Sequence, residues 1–303
     1  MLMKIAGFYI FYALNWVMTL LPLRALYLLS DILFVALYYF PSYRRKVVTR
    51  NLRNSFPEKS DEELRVIARR FYRHMADLFT ETLKITHMSE RQIIRRFRFR
   101  DMTLINRLYD EGKDIIAVCS HYNNWEWLSS MPLLSRYTAM TIYKPLTNKY
   151  FDRFMIRLRS KFGVVPSPMQ SILRELIRRR KENDRTITAF IADQTPGKND
   201  HIYWTSFLNQ ETAIYTGTEK VAVMLDMPVV FIHIIKVKRG YYEVETRLIS
   251  EHPKNEPVNA ITEKHVRMLE DVIRQQPEYW LWSHRRWKRK KTKENDKDSG
   301  GNS

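Results

Sequence analysis

The chain has 303 residues, with 51 Lys+Arg against 33 Asp+Glu and a formal net charge of +18. A hydrophobic fraction of 45% with 13% aromatics excludes a disordered chain and supplies apolar mass for one large core or two small ones. The eight glycines (Gly7, Gly112, Gly163, Gly197, Gly217, Gly240, Gly300 and Gly301) spell no dinucleotide-binding, P-loop or nucleophile-elbow motif, and a single cysteine, Cys119, excludes an internal disulfide or a cysteine-based metal cluster. No metal or cofactor is expected, and the cysteine usage suits a chain facing the cytoplasm.

From Ile5 to Leu23 the run IAGFYIFYALNWVMTLLPL carries no charge, and Arg24 and Asp31 are the only charges before Arg44. That length matches a membrane-crossing helix, with Asn15 and Pro22 against it, so residues 1–43 are read as a retained anchor, either one helix or a hairpin. A cleavable leader is disfavoured, because only Lys4 precedes the run and no small-x-small site follows it. Arg44, Arg45, Lys46, Arg50 and Arg53 come next, as expected on the cytoplasmic side of such an anchor.

Ser60 and Glu63 form a capping box that opens a helix to about Thr86, and a second helix is expected from Glu90 to Arg98. Short apolar runs at Asp114 to Ser120, Ala139 to Tyr143 and Thr186 to Ala192 read as strands. Helices are expected between them, at Asn124 to Ser135, Lys149 to Phe162 and Pro168 to Glu182. A helix near Tyr215 to Asp226 and a hairpin of Val229 to Lys238 with Tyr241 to Leu248 follow, then a helix from Val258 to Gln275. The alternation predicts an α/β fold with a mixed central sheet flanked by helices. A domain of residues 44–287 would then precede a basic, disordered tail at 288–303; the whole stretch Arg285 to Lys293 reads as too polar to pack. Trp280, Trp282 and Trp287, interleaved with Arg285, Arg286 and Lys288, are assigned to an interfacial aromatic belt in preference to the core.

The chemistry is concentrated in Ser120-His121-Tyr122-Asn123-Asn124-Trp125-Glu126-Trp127. His121 stands where the first core strand gives way to a helix, and a side chain at a strand's carboxyl end can face a crevice. Glu126, in the first turn of the next helix, is expected to hold one ring nitrogen, leaving the other to take a proton from an attacking hydroxyl. Asp193 and Gln194 end another strand and are expected at the same edge.

The HYNNWE box, together with YKPLTN at Tyr143 to Asn148, ADQTPGKND at Ala192 to Asp200 and PEYWLWSHRRWK at Pro277 to Lys288, resembles the lipid A biosynthesis acyltransferases. This is the lauroyl/myristoyl branch of the lysophospholipid acyltransferase superfamily, and the resemblance runs over nearly the whole chain, including RNLRNSFPE at Arg50 to Glu58. It implies a bacterial inner-membrane enzyme, with its catalytic domain on the cytoplasmic side. The enzyme would move a fatty acyl group from acyl carrier protein or coenzyme A to a hydroxyl of an anionic glycolipid, a lipid A precursor. His121 and Glu126 match the family's catalytic dyad, and Lys144, Asn148, Asp193 and Gln194 are the implied substrate-binding residues. Asn123 stands where the family's HYGNWE form has glycine, and Lys144 where an arginine is common.

Three other readings compete. Cys119 and His121 are two apart, hence on one strand face, and would suit a thiol nucleophile with its base. Other amphiphiles, such as mannosides or aminolipids, could be the acceptor. A non-enzymatic basic tether for membrane or nucleic acid would use the charge alone; membrane headgroups rank above nucleic acid because no nucleic-acid motif accompanies the charge.

Overall fold

The computed structural model describes residues 2–40, 43–197 and 200–291. The chain opens with helices α1 (Leu2–Leu20), α2 (Leu23–Tyr39), α3 (Arg45–Ser55), α4 (Asp61–Lys84) and α5 (Glu90–Arg96). Strand β1 (Phe97–Phe99), helix α6 (Thr103–Asp110), strand β2 (Ile115–Cys119), a 3-10 helix at Trp125–Leu133, strand β3 (Thr138–Tyr143) and helix α7 (Lys149–Ser160) follow. Then come β4 (Val165–Pro168), α8 (Ile172–Lys181), β5 (Thr186–Ile191), β6 (Ile202–Phe207), β7 (Gln210–Tyr215), α9 (Gly217–Leu225), β8 (Val229–Lys238), β9 (Tyr241–Ser250) and α10 (Ala260–Gln275).

Seven strands form one sheet in the order β1-β9-β8-β2-β5-β3-β4, and only the β8–β9 hairpin is antiparallel, so the expected mixed sheet is present. All five residues of β2 are buried, as a strand at the centre of a sheet covered on both faces requires. Its alternation divides the core. Ile116 and Val118 pack with α4, α8 and α10 on one face, while Ile115, Ala117 and Cys119 pack with α6, α7 and the 3-10 helix on the other. Buried Asp114 sets the β2–β5 register from below, accepting from Thr186 N (2.8 Å) and Arg180 Nε (2.9 Å).

The Ser60 capping box forms as expected, with Ser60 N donating to Glu63 at 2.8 Å and Glu63 N to Ser60 Oγ at 3.3 Å. Three local expectations need correction. The helix expected at Asn124 to Ser135 is 3-10 throughout, with Pro132 inside it denying the last turn an α-helical N–H. The helix expected to run to Arg98 stops at Arg96, because the alternating Phe97-Arg98-Phe99 pairs with β9 instead. The β6–β7 hairpin was not anticipated; Leu208 and Asn209 both take left-handed φ (50° and 60°), the geometry of a tight hairpin turn, in a sequence without the usual glycine.

The expected membrane anchor is not supported as a spanning helix: among the described residues no helix is long and apolar enough to cross a membrane. Pro22 splits the uncharged run into α1 and α2, and Asn15 and Thr19 on α1 and Tyr27 and Ser30 on α2 turn inward while Arg24 stays exposed. Asn15 donates to Thr86 (3.2 Å), Thr19 meets His87 (2.8 Å), and buried Lys84 donates to the carbonyls of Thr19 and Leu21 at the end of α1. On α2, Ser30 donates to Asp77 (2.8 Å) and Tyr27 to Glu81 (2.7 Å), while Asp31 accepts from Arg239 (2.8 Å). The opposite faces carry exposed Ile10, Leu14, Val17 and Leu21 on α1 and around its end, and Leu28, Ile32, Val35 and Tyr39 on α2. Both series step by four, three and four, which is one stripe of an α-helix.

At the other end, the aromatic belt is corrected to core. Trp280 and Trp282 are fully buried, since their rings close the sheet's α10 face against Phe207 and Phe56. The stretch expected to be too polar to pack also contributes to the interior: Arg286 is buried and donates to the carbonyl of Ala213 (2.8 Å), and burial lowers its pKa to about 10. Residues 292–303, the rest of the expected disordered tail, lie outside the described residues.

Candidate active site

Parallel pairing of β2 with β5 sets Cys119 opposite Ile191, so two residues further on His121 and Asp193 emerge side by side from the carboxyl ends of adjacent strands. His121 Nδ1 lies 2.7 Å from Asp193 Oδ1, and the other carboxylate oxygen accepts from His121 N (2.9 Å) and Trp280 Nε1 (2.8 Å). Burial pushes the Asp193 carboxyl up, but the His121 charge and these hydrogen bonds outweigh it and bring its pKa down to about 2. An ionised carboxylate can only accept, so Nδ1 carries the hydrogen, and in the tautomer this selects the lone pair lies on Nε2. Gln194 Nε2 is 3.1 Å from that lone pair. Trp125 contacts the imidazole edge-on at 4.8 Å between ring centres.

The expectation that Glu126 holds a ring nitrogen of His121 is not met. Both Glu126 oxygens are taken by Arg159 of α7, from Nε at 2.9 Å and from the guanidinium fork at 2.7 Å. The 3-10 winding after Asn124 and the arrival of Asp193 on the neighbouring strand account for the exchange: a closer carboxylate occupies Nδ1, and Glu126 is aimed across to α7. Arg159 lies in the basic stretch RFMIRLRS, and nothing in its local sequence distinguishes it from Arg153 or Arg157.

His121, Trp125, Glu126, Arg159 and Gln194 line a cavity of about 700 Å³ that continues between the sheet and the 3-10 helix. Its interior is apolar, with Met131, Val164, Ile187 and Ile232 in the wall, and its polar rim holds Lys144, Thr195, Asp200 and Lys288. Lys144 is therefore at the cavity. Asn148 is not among the lining residues; its Oδ1 caps α7, accepting from Tyr150 N (3.0 Å) and Phe151 N (3.4 Å). His284, beside the rim, accepts from Thr195 N, and burial lowers its pKa to about 4, so it is neutral at pH 7.

Asn123 takes a left-handed φ of 54°, which explains why the position suits glycine and why asparagine is tolerated there. Its side chain donates to the carbonyl of Ile234 (2.7 Å), a buried bond that glycine could not make. Among the described residues no group of His, Cys, Asp and Glu is arranged to hold a metal ion.

Cys119 is buried, and burial raises its thiol pKa to about 12, the reverse of an activated nucleophile. Protein quenched during turnover with an acyl thioester is expected to show no acyl adduct on Cys119 by mass spectrometry. A stoichiometric thioester at that residue would reinstate the covalent route.

The profile of the bacterial lipid A biosynthesis acyltransferases matches residues 1–289. The chain is also similar to the lipid A biosynthesis lauroyltransferase of Escherichia coli (strain K12), 24% identical over 276 residues that cover 90% of this chain and 88% of that protein. A match over almost the whole length takes in both strand ends and the helix that supply the cavity's polar groups, and the chain belongs to the bacterial lipid A biosynthesis acyltransferase family.

Proposed function

We propose that this acyltransferase works by direct transfer, with His121 as general base. The acceptor hydroxyl gives its proton to Nε2 as its oxygen attacks the thioester carbonyl of an acyl donor, either acyl carrier protein or coenzyme A. The tetrahedral oxyanion then expels the thiolate, which recovers the proton from the imidazolium. The observation that carries this reading is the oriented imidazole: Nδ1 is held by buried Asp193 while Nε2 faces a cavity whose interior is apolar enough for an acyl chain. The Gln194 amide occupies Nε2 until a hydroxyl replaces it. Glu126 holds Arg159 at the cavity wall, where that cation and Lys144 can offset charge on the oxyanion or on a substrate phosphate.

For localisation, the reading is the cytoplasmic face of the bacterial inner membrane. The apolar stripes of α1 and α2 would lie in one leaflet, and Arg44, Arg45, Lys46 and Arg50 would meet anionic headgroups, each contributing about 1 kcal/mol, whereas Arg53 is already paired with Asp61. The +18 net charge also suits an acidic carrier protein and a phosphorylated acceptor.

Lipid A from cells with and without this chain, compared by mass spectrometry, is expected to differ by one acyl group. Purified protein should transfer that acyl chain to the under-acylated lipid from a carrier-protein or coenzyme A thioester. Identical lipid A in the two strains, with no transfer from either donor, would overturn the reading.

A further inference from the structure

We propose that Glu81, in the last turn of α4 and outside the cavity, is a positioning residue for the reaction, acting through Asn124 on the turn that carries Trp125 and Glu126. The inference rests on the His121 reading above. Glu81 has no solvent exposure and lies 43 residues before Asn124 in the chain. One of its carboxylate oxygens accepts from Tyr27 (2.7 Å); the other accepts from Asn124 Nδ2 (2.7 Å) and Tyr242 (2.8 Å). Its main-chain carbonyl accepts from the Trp127 indole (3.2 Å). One residue therefore grips the turn on both sides of Glu126, and Asn124 Oδ1 closes the same turn by accepting from Trp127 N (3.2 Å).

The opposite side of the turn presents Trp125 to the His121 ring and Glu126 to Arg159. Burial raises the Glu81 pKa, and the charge of Lys236 offsets that only in part. Filling the space between α4, β9 and the 3-10 helix would be cheaper with an apolar side chain, because a buried carboxyl is retained only at a desolvation cost. What the carboxyl supplies and an apolar group cannot is directional acceptance from three donors on three separate elements, α2, β9 and the turn. That geometry locks the rotation of the turn and with it the aim of the cavity's polar groups. Misplacing such groups by about 1 Å can cost on the order of 10²-fold in rate.

The experiment compares steady-state kinetics and thermal melts of the full chain carrying Glu81→Ala, Glu81→Gln, Asn124→Ala, Glu81→Ala with Asn124→Ala, and His121→Ala. Glu81→Ala is expected to lower kcat by about 10- to 10²-fold with KM within about threefold, the signature of a contact that matters in the transition state. Glu81→Gln keeps an acceptor for Asn124 and is expected to restore kcat to within about fivefold of wild type. Asn124→Ala should lower kcat as Glu81→Ala does, and the double variant should be no worse than either single one, because the two act along one path. A folded Glu81→Ala with wild-type kcat, or a double variant whose losses multiply, would overturn the proposal. If Glu81→Ala does not fold, wild-type kcat in folded Asn124→Ala overturns it equally, since the proposed route runs through that side chain. Activity remaining in His121→Ala would strike the base assignment instead, leaving the Glu81 result to be read on its own.

Discussion

His121→Ala is expected to lower acyl transfer by about 10²- to 10⁴-fold while leaving the melting temperature near that of wild type, because the ring is one partly exposed group at a strand end. Asp193→Asn should be nearly as damaging: an amide in place of the orienting carboxylate favours the wrong imidazole tautomer, an exchange worth about 10⁴-fold in a comparable histidine–aspartate pair. Asp193 also carries a pH signature. Its folded pKa of about 2 lies below the ordinary value of 3.8, so its stabilising contribution is complete above about pH 4 and is lost as the pH falls toward 2. The shift corresponds to roughly 2 kcal/mol. Denaturant melts of wild type and Asp193→Asn between pH 5 and 2 should therefore converge by about that amount. Parallel acid slopes, or an active Asp193→Asn, would remove Asp193 from the site.

The second large effect is expected at Glu126. Its truncation to alanine removes the carboxylate that bonds both Arg159 nitrogens and leaves that half-buried guanidinium with only the more distant charge of Asp152, which should cost about 1–3 kcal/mol of stability as well as activity. Were Glu126 to act by orienting His121, Arg159→Ala would be mild and the two losses independent. Since both Glu126 oxygens are on Arg159, the expected result is the contrary one. Arg159→Ala should fall in rate as far as Glu126→Ala, about 10²-fold or more for a lost oxyanion-stabilising donor, and the double variant should be no slower than either. Multiplying rate losses in the double variant would return Glu126 to a role of its own.

Much of this arrangement is local chemistry that the sequence states by itself. The alternation of β2, the Ser60 capping box and the Arg239-Gly240 hairpin each depend on neighbours within a few residues, so the three core strands β2, β3 and β5 and the helices α7 and α8 could be placed from the chain alone, while the edge strand β4 and the 3-10 form of the segment after Asn124 could not. The placement of His121 at a strand's carboxyl end, with Asp193 and Gln194 at another, belongs to the same kind of reading.

Pairing was decided by tertiary structure. Which carboxylate meets His121 Nδ1 depends on β5 lying beside β2 in a register that sets Ile191 against Cys119, a long-range fact that no spacing between His121 and Glu126 encodes. The role of Glu126 follows from α7 bringing Arg159 across the cavity from 33 residues further along the chain. The N-terminal run shows the same division. Its lack of charge is written in the sequence, but Pro22 and the inward hydrogen bonds of Asn15, Thr19, Tyr27 and Ser30 turn it into two helices held against α4 and the segment that follows it. Burial works likewise at Trp280, Trp282 and Arg286, where aromatic and basic residues that suit a lipid surface by composition are interior, because β6, β7 and α10 fold over them. Composition sets what a segment can bury; the partner that satisfies each buried polar group is chosen only when distant elements meet.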